Sequence, residues 1–72
     1  MSKVTYVERI KQLRKEDGIT QTRLAEKIGV SQSAIDLWES GARVPNAIAV
    51  IKLAEYFQVT TDYLLGVSDV MN

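Results

Sequence analysis

The stretch QTRLAEKIGVSQSAIDLWES (21–40) decides the fold, because it holds two short helical segments with almost no chain between them. Apolar side chains follow helical spacing in the first segment, and Gly29 ends it. Ser31 has the residue type of an N-cap and starts the second segment. A three-residue connection with a glycine free to take a positive φ forces a sharp turn between packed helices. The pattern predicts a helix-turn-helix with helices over 21–28 and 32–40.

Similar boundary signals divide the rest of the chain into three further helices. Thr5 and Glu8 match a capping box, and the apolar spacing after them predicts a helix that stops at Gly18. Asn46 has the residue type of an N-cap for a fourth helix, and Thr60 for a short fifth one. No segment alternates with a period of two residues, so strands are not expected. The predicted fold class is all-α, with five short helices.

The size and composition of the chain limit the functions that it can have. Its 72 residues have room for a single core, which we assign to residues 1–66, with residues 67–72 as a loose C-terminal tail. Cysteine and histidine are absent, which removes disulfides, thiolate metal sites and the commonest general base. We therefore expect no metal, no cofactor and no enzymatic activity. The longest apolar run, AIAVI (47–51), is too short to span a membrane, and we expect a cytoplasmic protein.

The charge of the chain is neutral in total but unevenly distributed. Residues 1–30 hold seven Lys or Arg against four Asp or Glu, a net charge of +3, whereas residues 31–72 hold two against five, a net charge of −3. Non-specific binding to nucleic acid comes mainly from neutralising phosphates, so strong binding of that kind is not expected. A basic patch on one face is still compatible with these numbers.

The agreement of several markers in register goes beyond periodicity. ITQTRLAEKIGVSQSAIDLWESG (19–41), followed by RVP and IKLAEYFQVTTDYLLG (51–66), closely resembles the Cro/C1-type (XRE-like) helix-turn-helix family of phage repressors and small bacterial regulators. The resemblance implies a compact five-helix, lambda-repressor-like DNA-binding domain. It also implies a homodimer that regulates transcription at a two-fold symmetric double-stranded DNA operator, with the 32–40 helix in the major groove. The family pattern pairs Arg14 with Glu39, and we expect this ion pair to tie the first helix to the recognition helix.

The recognition helix separates into two arcs at 100° per residue. The predicted inward arc contains Ala34, Ile35, Trp38 and Glu39. The predicted outward, DNA-reading arc contains Gln32, Ser33, Asp36, Leu37 and Ser40. At its N-terminal end a glutamine can bond adenine N6 and N7 and a serine can donate or accept, while Asp can accept from cytosine N4 and Leu can contact a thymine methyl group.

Phosphate contacts are then expected outside this reading arc. Gln21 and Thr22 open the preceding helix, where free backbone amides and a side-chain amide would point at an anion. Ser40 and Arg43 surround the turn after the recognition helix and would hold the DNA backbone on the other flank, with Asn46 as a further candidate. Few of these residues are basic, so we expect weak non-specific affinity and a specificity that depends on the dimer.

A second reading of the same features is a protein–protein module, such as an antitoxin, an antagonist or an adaptor that reuses the fold. The acidic and apolar pair Asp36 and Leu37 and the neutral net charge favour it. Candidates for a dimer contact are Tyr63, Leu64, Val67 and Ile48. The operator sequence, the target genes, repression or activation, and whether the chain is a whole regulator or the N-terminal part of a longer one stay open at this point.

Overall fold

The computed structural model describes residues 5–70 of the chain. The helices, in chain order, are α1 (Tyr6–Glu16), α2 (Gln21–Ile28), α3 (Gln32–Ser40), α4 (Ala47–Phe57) and α5 (Thr61–Leu64). No strand occurs within this described range. The all-α, five-helix prediction is therefore confirmed. The first four residues of the predicted domain and the last two of the predicted tail lie outside the described residues.

The start of every helix follows from a single polar side chain. Each N-cap accepts a hydrogen bond from the backbone N–H three residues further on, and Thr5 and Glu8 form the predicted capping box. The five caps are Thr5, Thr20, Ser31, Asn46 and Thr60. Replacing such a cap by alanine typically costs about 1 kcal/mol, so together the caps decide where these short helices begin.

Left-handed backbone conformations end three of the helices. Gly29 has a φ of 73° and Gly41 a φ of 82°, values that glycine adopts without a steric cost. The α4 helix ends instead at Gln58, a non-glycine residue with a φ of 58°, where no glycine marks the end in the sequence. The turn between α2 and α3 therefore contains a glycine with positive φ, Gly29, as predicted.

Each of the five helices contributes one fully buried large side chain to the core. These are Ile10, Leu24, Ile35, Leu53 and Leu64. Trp38 is only 7% exposed, which confirms that it belongs to the core. The suggestion that Leu64 contacts a second subunit is wrong, because this side chain is completely buried. The single turn of α5 contributes Leu64 to the core, and no part of this side chain lies on the surface.

The packing of the helices leaves the α2–α3 pair at one side of the domain. α3 packs on both α1 and α2, while α4 packs on α2 and α5, and α5 returns to α1. In the predicted tail, Val67 and Ser68 donate backbone hydrogen bonds to the carbonyl of Asp62, and the side chain of Asp69 accepts a hydrogen bond from the side chain of Arg9. Within residues 5–70, no helix has the length and apolar character that crossing a membrane requires.

Candidate nucleic-acid interface

A buried ion pair joins α1 to the end of α3. Arg14 Nε lies 2.6 Å from Glu39 Oε2, and Arg14 Nη2 lies 2.9 Å from Glu39 Oε1, so the pair is bidentate. The remaining Nη1 of Arg14 donates to the carbonyl of Ile19 at 3.0 Å. The Glu39 side chain is only 4% exposed. Every nitrogen of the guanidinium therefore has an acceptor, and the pair fixes the tilt of α3 against α1.

The charges of this pair stabilise each other. Burial alone would raise the pKa of Glu39, but hydrogen bonds from Arg14 and Gln21 lower it, and the net pKa lies below the ordinary value of 4.5. The hydrogen bond to Glu39 in turn raises the pKa of Arg14. Glu39 is therefore ionised at neutral pH and can only accept hydrogen bonds.

A chain of hydrogen bonds leads from this pair to the predicted reading surface. Gln21 Nε2 donates to Glu39 Oε1 at 3.1 Å and approaches Asp36 Oδ1 at 3.5 Å. Gln21 Oε1 in turn accepts from Gln32 Nε2 at 2.7 Å. The side chains of α2 and α3 thus connect the core to the exposed N-terminus of α3. The sequence predicts a phosphate contact for Gln21 but not this link, because spacing within one helix says nothing about contacts between two helices.

The predicted outward arc of α3 faces solvent, with one exception. Gln32, Ser33, Asp36 and Ser40 are exposed, whereas Leu37 is half-buried. Ser40 Oγ donates to the carbonyl of Leu37 at 3.1 Å and accepts from the amide of Ala42, so it shapes the end of the helix. The exposed polar groups nearest the N-terminus of α3 are therefore Gln32 and Ser33, beside a partly apolar strip at Leu37.

The residues predicted to hold phosphates lie on both sides of this arc. Thr22 and Arg43 are exposed, and the first turns of α2 and α3 contain no acidic residue of their own. The loop at Arg43 is held by its amide, which donates to the carbonyl of Leu37, and by Tyr6 Oη, which donates to the carbonyl of Arg43. Asn46 is used differently: its Oδ1 accepts from the amide of Ala49 at 2.8 Å as the cap of α4.

A second buried arginine went unnoticed in the sequence. Arg9 is 4% exposed, and its guanidinium carbon lies 3.7 Å from the centre of the Tyr63 ring. Arg9 Nη2 donates to Asp69 Oδ1 at 3.3 Å. The signal was present, since Arg9 follows Tyr6 by three residues and precedes Leu13 by four, which places it on the inner face of α1. Tyr63, which was also suggested as a dimer contact, is half-buried and covers this arginine with its ring.

The arrangement offers hydrogen bonding and charge but no metal site. Within residues 5–70, no three of the side chains of Asp, Glu, His or Cys come together in a way that could hold a metal ion. The chemistry available at the surface of α3 is an amide, two hydroxyls, a carboxylate and a partly exposed isobutyl group. These are the groups that can read the edges of base pairs.

Comparison with known proteins places this geometry in a family. The sequence profile described as "Helix-turn-helix" matches residues 10–64. The uncharacterized HTH-type transcriptional regulator YobD of Bacillus subtilis is 38% identical over 64 residues, which cover 89% of this chain and 57% of that protein. This chain spans about half, or less, of the length of the first curated relatives that it matches.

Solved structures give the same result. The c2 repressor of phage P22, in a crystal structure with a synthetic operator, superposes with a TM-score of 0.82 at 37% identity, covering 86% of this chain and 94% of that one. SinR in the SinR–SinI complex superposes with a TM-score of 0.79 at 34% identity, covering 85% and 60%. These relatives are transcription regulators and not enzymes. The chain belongs to the Cro/C1-type helix-turn-helix family of DNA-binding transcription regulators.

Proposed function

We propose that this protein binds double-stranded DNA sequence-specifically as a homodimer and regulates transcription, as a repressor, from a two-fold symmetric operator. The observation that carries the proposal is the exposed polar arc of α3, which begins with Gln32 and Ser33 beside the N-terminus of α2. Both helix N-termini are free of acidic residues. In a helix-turn-helix, the N-terminal end of the second helix enters the major groove.

Base recognition is assigned to four side chains of α3. Gln32 has the groups to bond N6 and N7 of adenine, and Ser33 is small enough to approach either kind of base edge. We assign Asp36 to accept a hydrogen bond from cytosine N4, and the exposed part of Leu37 to contact a thymine methyl group. The carboxylate of Asp36 is repelled by the phosphates of the DNA backbone. It would therefore favour a base edge with a free amino group.

Phosphate contacts are assigned to the flanks of this arc. The backbone amides at the start of α2, together with Thr22, would hold one phosphate, and Arg43 with Ser40 another. The Gln21 side-chain nitrogen is engaged with carboxylates, so the backbone of α2 is the stronger donor at this position. With so few cations, a small salt dependence is expected, because each phosphate contact contributes roughly −0.9 to the log–log slope on duplex DNA.

A homodimer would place the second domain on the next half-site. Half-sites in such operators lie roughly 34–36 Å apart. The domain measures 32 × 24 × 23 Å, so two copies side by side on one face of the duplex would touch only along a narrow edge. Of the residues suggested for this contact, Ile48 at 65% exposure and Val67 at 73% remain on the surface. A small contact of this kind would make the dimer form mainly on DNA.

Selection from a random duplex pool at low salt tests the proposal. The expected result is a two-fold symmetric site whose binding is lost in the variant Gln32→Ala. The matched control is Gln12→Ala, because Gln12 is also an exposed helical glutamine, on α1, where it donates to Glu16. A folded sample that enriches no sequence, or an operator bound equally by the Gln32 variant, would contradict the proposal.

A protein partner is the second candidate, favoured by a row of exposed apolar side chains. Val44 is 71% exposed, Ile48 65% and Ile51 49%. SinR, to which this chain is similar, was solved in a complex with the protein SinI. If an antagonist binds this row, the variant Ile48→Ser should no longer bind it. The same variant should still bind a single DNA half-site. A partner that tolerated Ile48→Ser and required Gln32 would have to bind the surface of α3 instead.

A further inference from the structure

The hydrogen bonds at the α2–α3 junction have a direction that the chemistry of the side chains dictates. A glutamine amide can face a neighbour with either its oxygen or its nitrogen, and the two look alike in shape. Gln21 faces Glu39 at 3.1 Å and Asp36 at 3.5 Å. A carboxylate only accepts, so the nitrogen of Gln21 has to face both. Its oxygen is then left for Gln32.

The direction of the Gln21 amide in turn fixes the direction of the Gln32 amide. Gln32 meets Gln21 Oε1 at 2.7 Å, a short hydrogen bond, and must present its own nitrogen there. One of its two N–H groups is then used. What remains for an incoming base is one N–H and the carbonyl oxygen, which accepts no hydrogen bond within residues 5–70.

This remaining pair of groups distinguishes the purines. Adenine presents an acceptor at N7 and a donor at N6, and one N–H with one carbonyl oxygen complements both. Guanine presents two acceptors, N7 and O6, and complementing them would require two free donors. A glutamine free to turn could offer both of its N–H groups to guanine. One held by Gln21 has only a single N–H to give.

We propose that Glu39 is a positioning residue that sets the base preference of α3 by fixing the amide direction of Gln21 and, through it, of Gln32. This inference rests on the proposed DNA-binding function and adds a role to a residue whose ion pair with Arg14 is otherwise structural. Glu39 itself touches no DNA, since it is buried. The selected base would be adenine, with guanine excluded.

The double variant Arg14→Met with Glu39→Leu tests this role while leaving both glutamines in place. Removing both charges together avoids an unpaired buried ion, and apolar replacement of a buried pair is often tolerated. The base pair that Gln32 reads is first identified as the one where Gln32→Ala loses discrimination. Affinity is then measured for duplexes that carry adenine or guanine at that position.

The wild-type protein is expected to prefer adenine over guanine by about fivefold or more, the range for one bidentate contact. In the double variant Gln21 keeps only the long, exposed contact of 3.5 Å to Asp36, so Gln32 can turn and the preference should fall to about twofold or less. Tyr63→Leu is the matched control: it loosens the packing of α1 at Arg9 without touching Gln21, and should keep the adenine preference. Stability is measured for both variants, so that a general loosening of the fold is separated from a change of base preference.

Three results would overturn the inference. An unchanged adenine preference in the double variant, or a guanine preference in the wild type, contradicts it while leaving DNA binding intact. Failure of the wild-type protein to enrich any duplex contradicts the proposed function, and the inference with it. An equal loss of preference in Tyr63→Leu would assign the effect to general loosening and also contradict it.

A measurement without any variant keeps the inference testable if the double variant does not fold. Nuclear magnetic resonance of the side-chain amides follows Gln21, Gln32 and Gln12 as the pH is lowered. When Glu39 takes up its proton, the amide signals of Gln21 and Gln32 should shift together. Gln12, which donates to Glu16 on α1 and has no hydrogen bond to Glu39, is the reference signal. If the amide signals of Gln32 do not shift when Glu39 takes up its proton, the proposed effect of Glu39 on Gln32 is contradicted.

Discussion

Each end of α1 has an arginine that is largely withdrawn from solvent, and the two are held by different means. At the end that faces α3, all the guanidinium nitrogens of Arg14 have directed hydrogen bonds, two of them to a buried carboxylate. At the end that faces α5, Arg9 lies against the ring of Tyr63, and its carboxylate partner Asp69 has a side chain that is 95% exposed. Arg9 Nε finds no hydrogen-bond partner within residues 5–70.

The difference indicates what each end has to do. Directed bonds fix angles, and the end that holds α3 determines where the reading surface points. Stacking on a ring tolerates rotation and sliding, and the end near α5 only has to cover the core. Charge complementarity is therefore concentrated on the side of the molecule that we propose meets DNA. The predictions below test this contrast, from the largest expected effect to the smallest.

Glu39→Ala should be the most damaging single change. It leaves Arg14 buried without its partner, and breaking a buried ion pair from one side typically costs about 3–5 kcal/mol. Urea unfolding at neutral pH measures the loss. Asp69→Ala is the control at the other end of α1. Equal losses for the two variants would show that the two ends are held alike, and would remove the contrast.

Acid should weaken the α3 end, where the carboxylate is buried. The folded pKa of Glu39 is lower than its ordinary value of 4.5, so the folded state binds fewer protons than the unfolded state near that pH. The stability from this carboxylate is complete above pH 4.5 and is lost as the pH falls through the lowered pKa. The loss should be smaller than in Glu39→Ala, because a protonated carboxyl group still accepts a hydrogen bond. Unfolding measured across this range in wild type and in Glu39→Gln checks it: the variant should lack this part of the pH dependence.

Tyr63→Leu should cost about 1–2 kcal/mol, because it removes the ring from a desolvated guanidinium but leaves an apolar side chain in its place. Tyr63→Phe separates the two contributions of this residue, since the phenyl ring keeps its attractive face. It should unfold at nearly the wild-type urea concentration. If Phe and Leu were equally destabilising, the contact of Arg9 with the ring would carry none of the stability.

Asp69→Asn should have the smallest effect, at most about 0.5 kcal/mol, because ion pairs with one exposed partner are screened by water and salt. The same unfolding measurement at low and high salt checks it. A loss as large as that of Tyr63→Leu would mean that the segment after α5 is clamped on α1, and would reverse the assignment of Arg9 to stacking.

Much of the fold was readable from local chemistry. The caps Thr5, Ser31, Asn46 and Thr60 and the helix pair at 21–28 and 32–40 were predicted because an N-cap acts on a backbone amide three residues away. The burial of Trp38 followed from the arc that it shares with Ile35. The end of α4 at Gln58 was harder to predict, since nothing in the sequence indicates that this glutamine has a positive φ.

The predicted site was readable only in part. Exposure of Gln32, Ser33 and Asp36 followed from the period of the helix. The hydrogen bond between Gln21 and Gln32 did not, because it depends on how closely two helices approach. The burial of Leu64, wrongly suggested for a dimer contact, was missed for a similar reason: in a helix of one turn, periodicity cannot say which side faces the core.

The sequence by itself determined where helices begin, which faces are apolar and which family the chain resembles, since these depend on neighbours within one turn. Only the tertiary structure decided which polar side chains meet across helices. It joined Arg14, Glu39, Gln21 and Gln32 into one directed path, and it left Arg9 under a tyrosine. The physical reason is range: a cap acts over three residues, whereas this path joins positions up to 25 residues apart that only packing brings together.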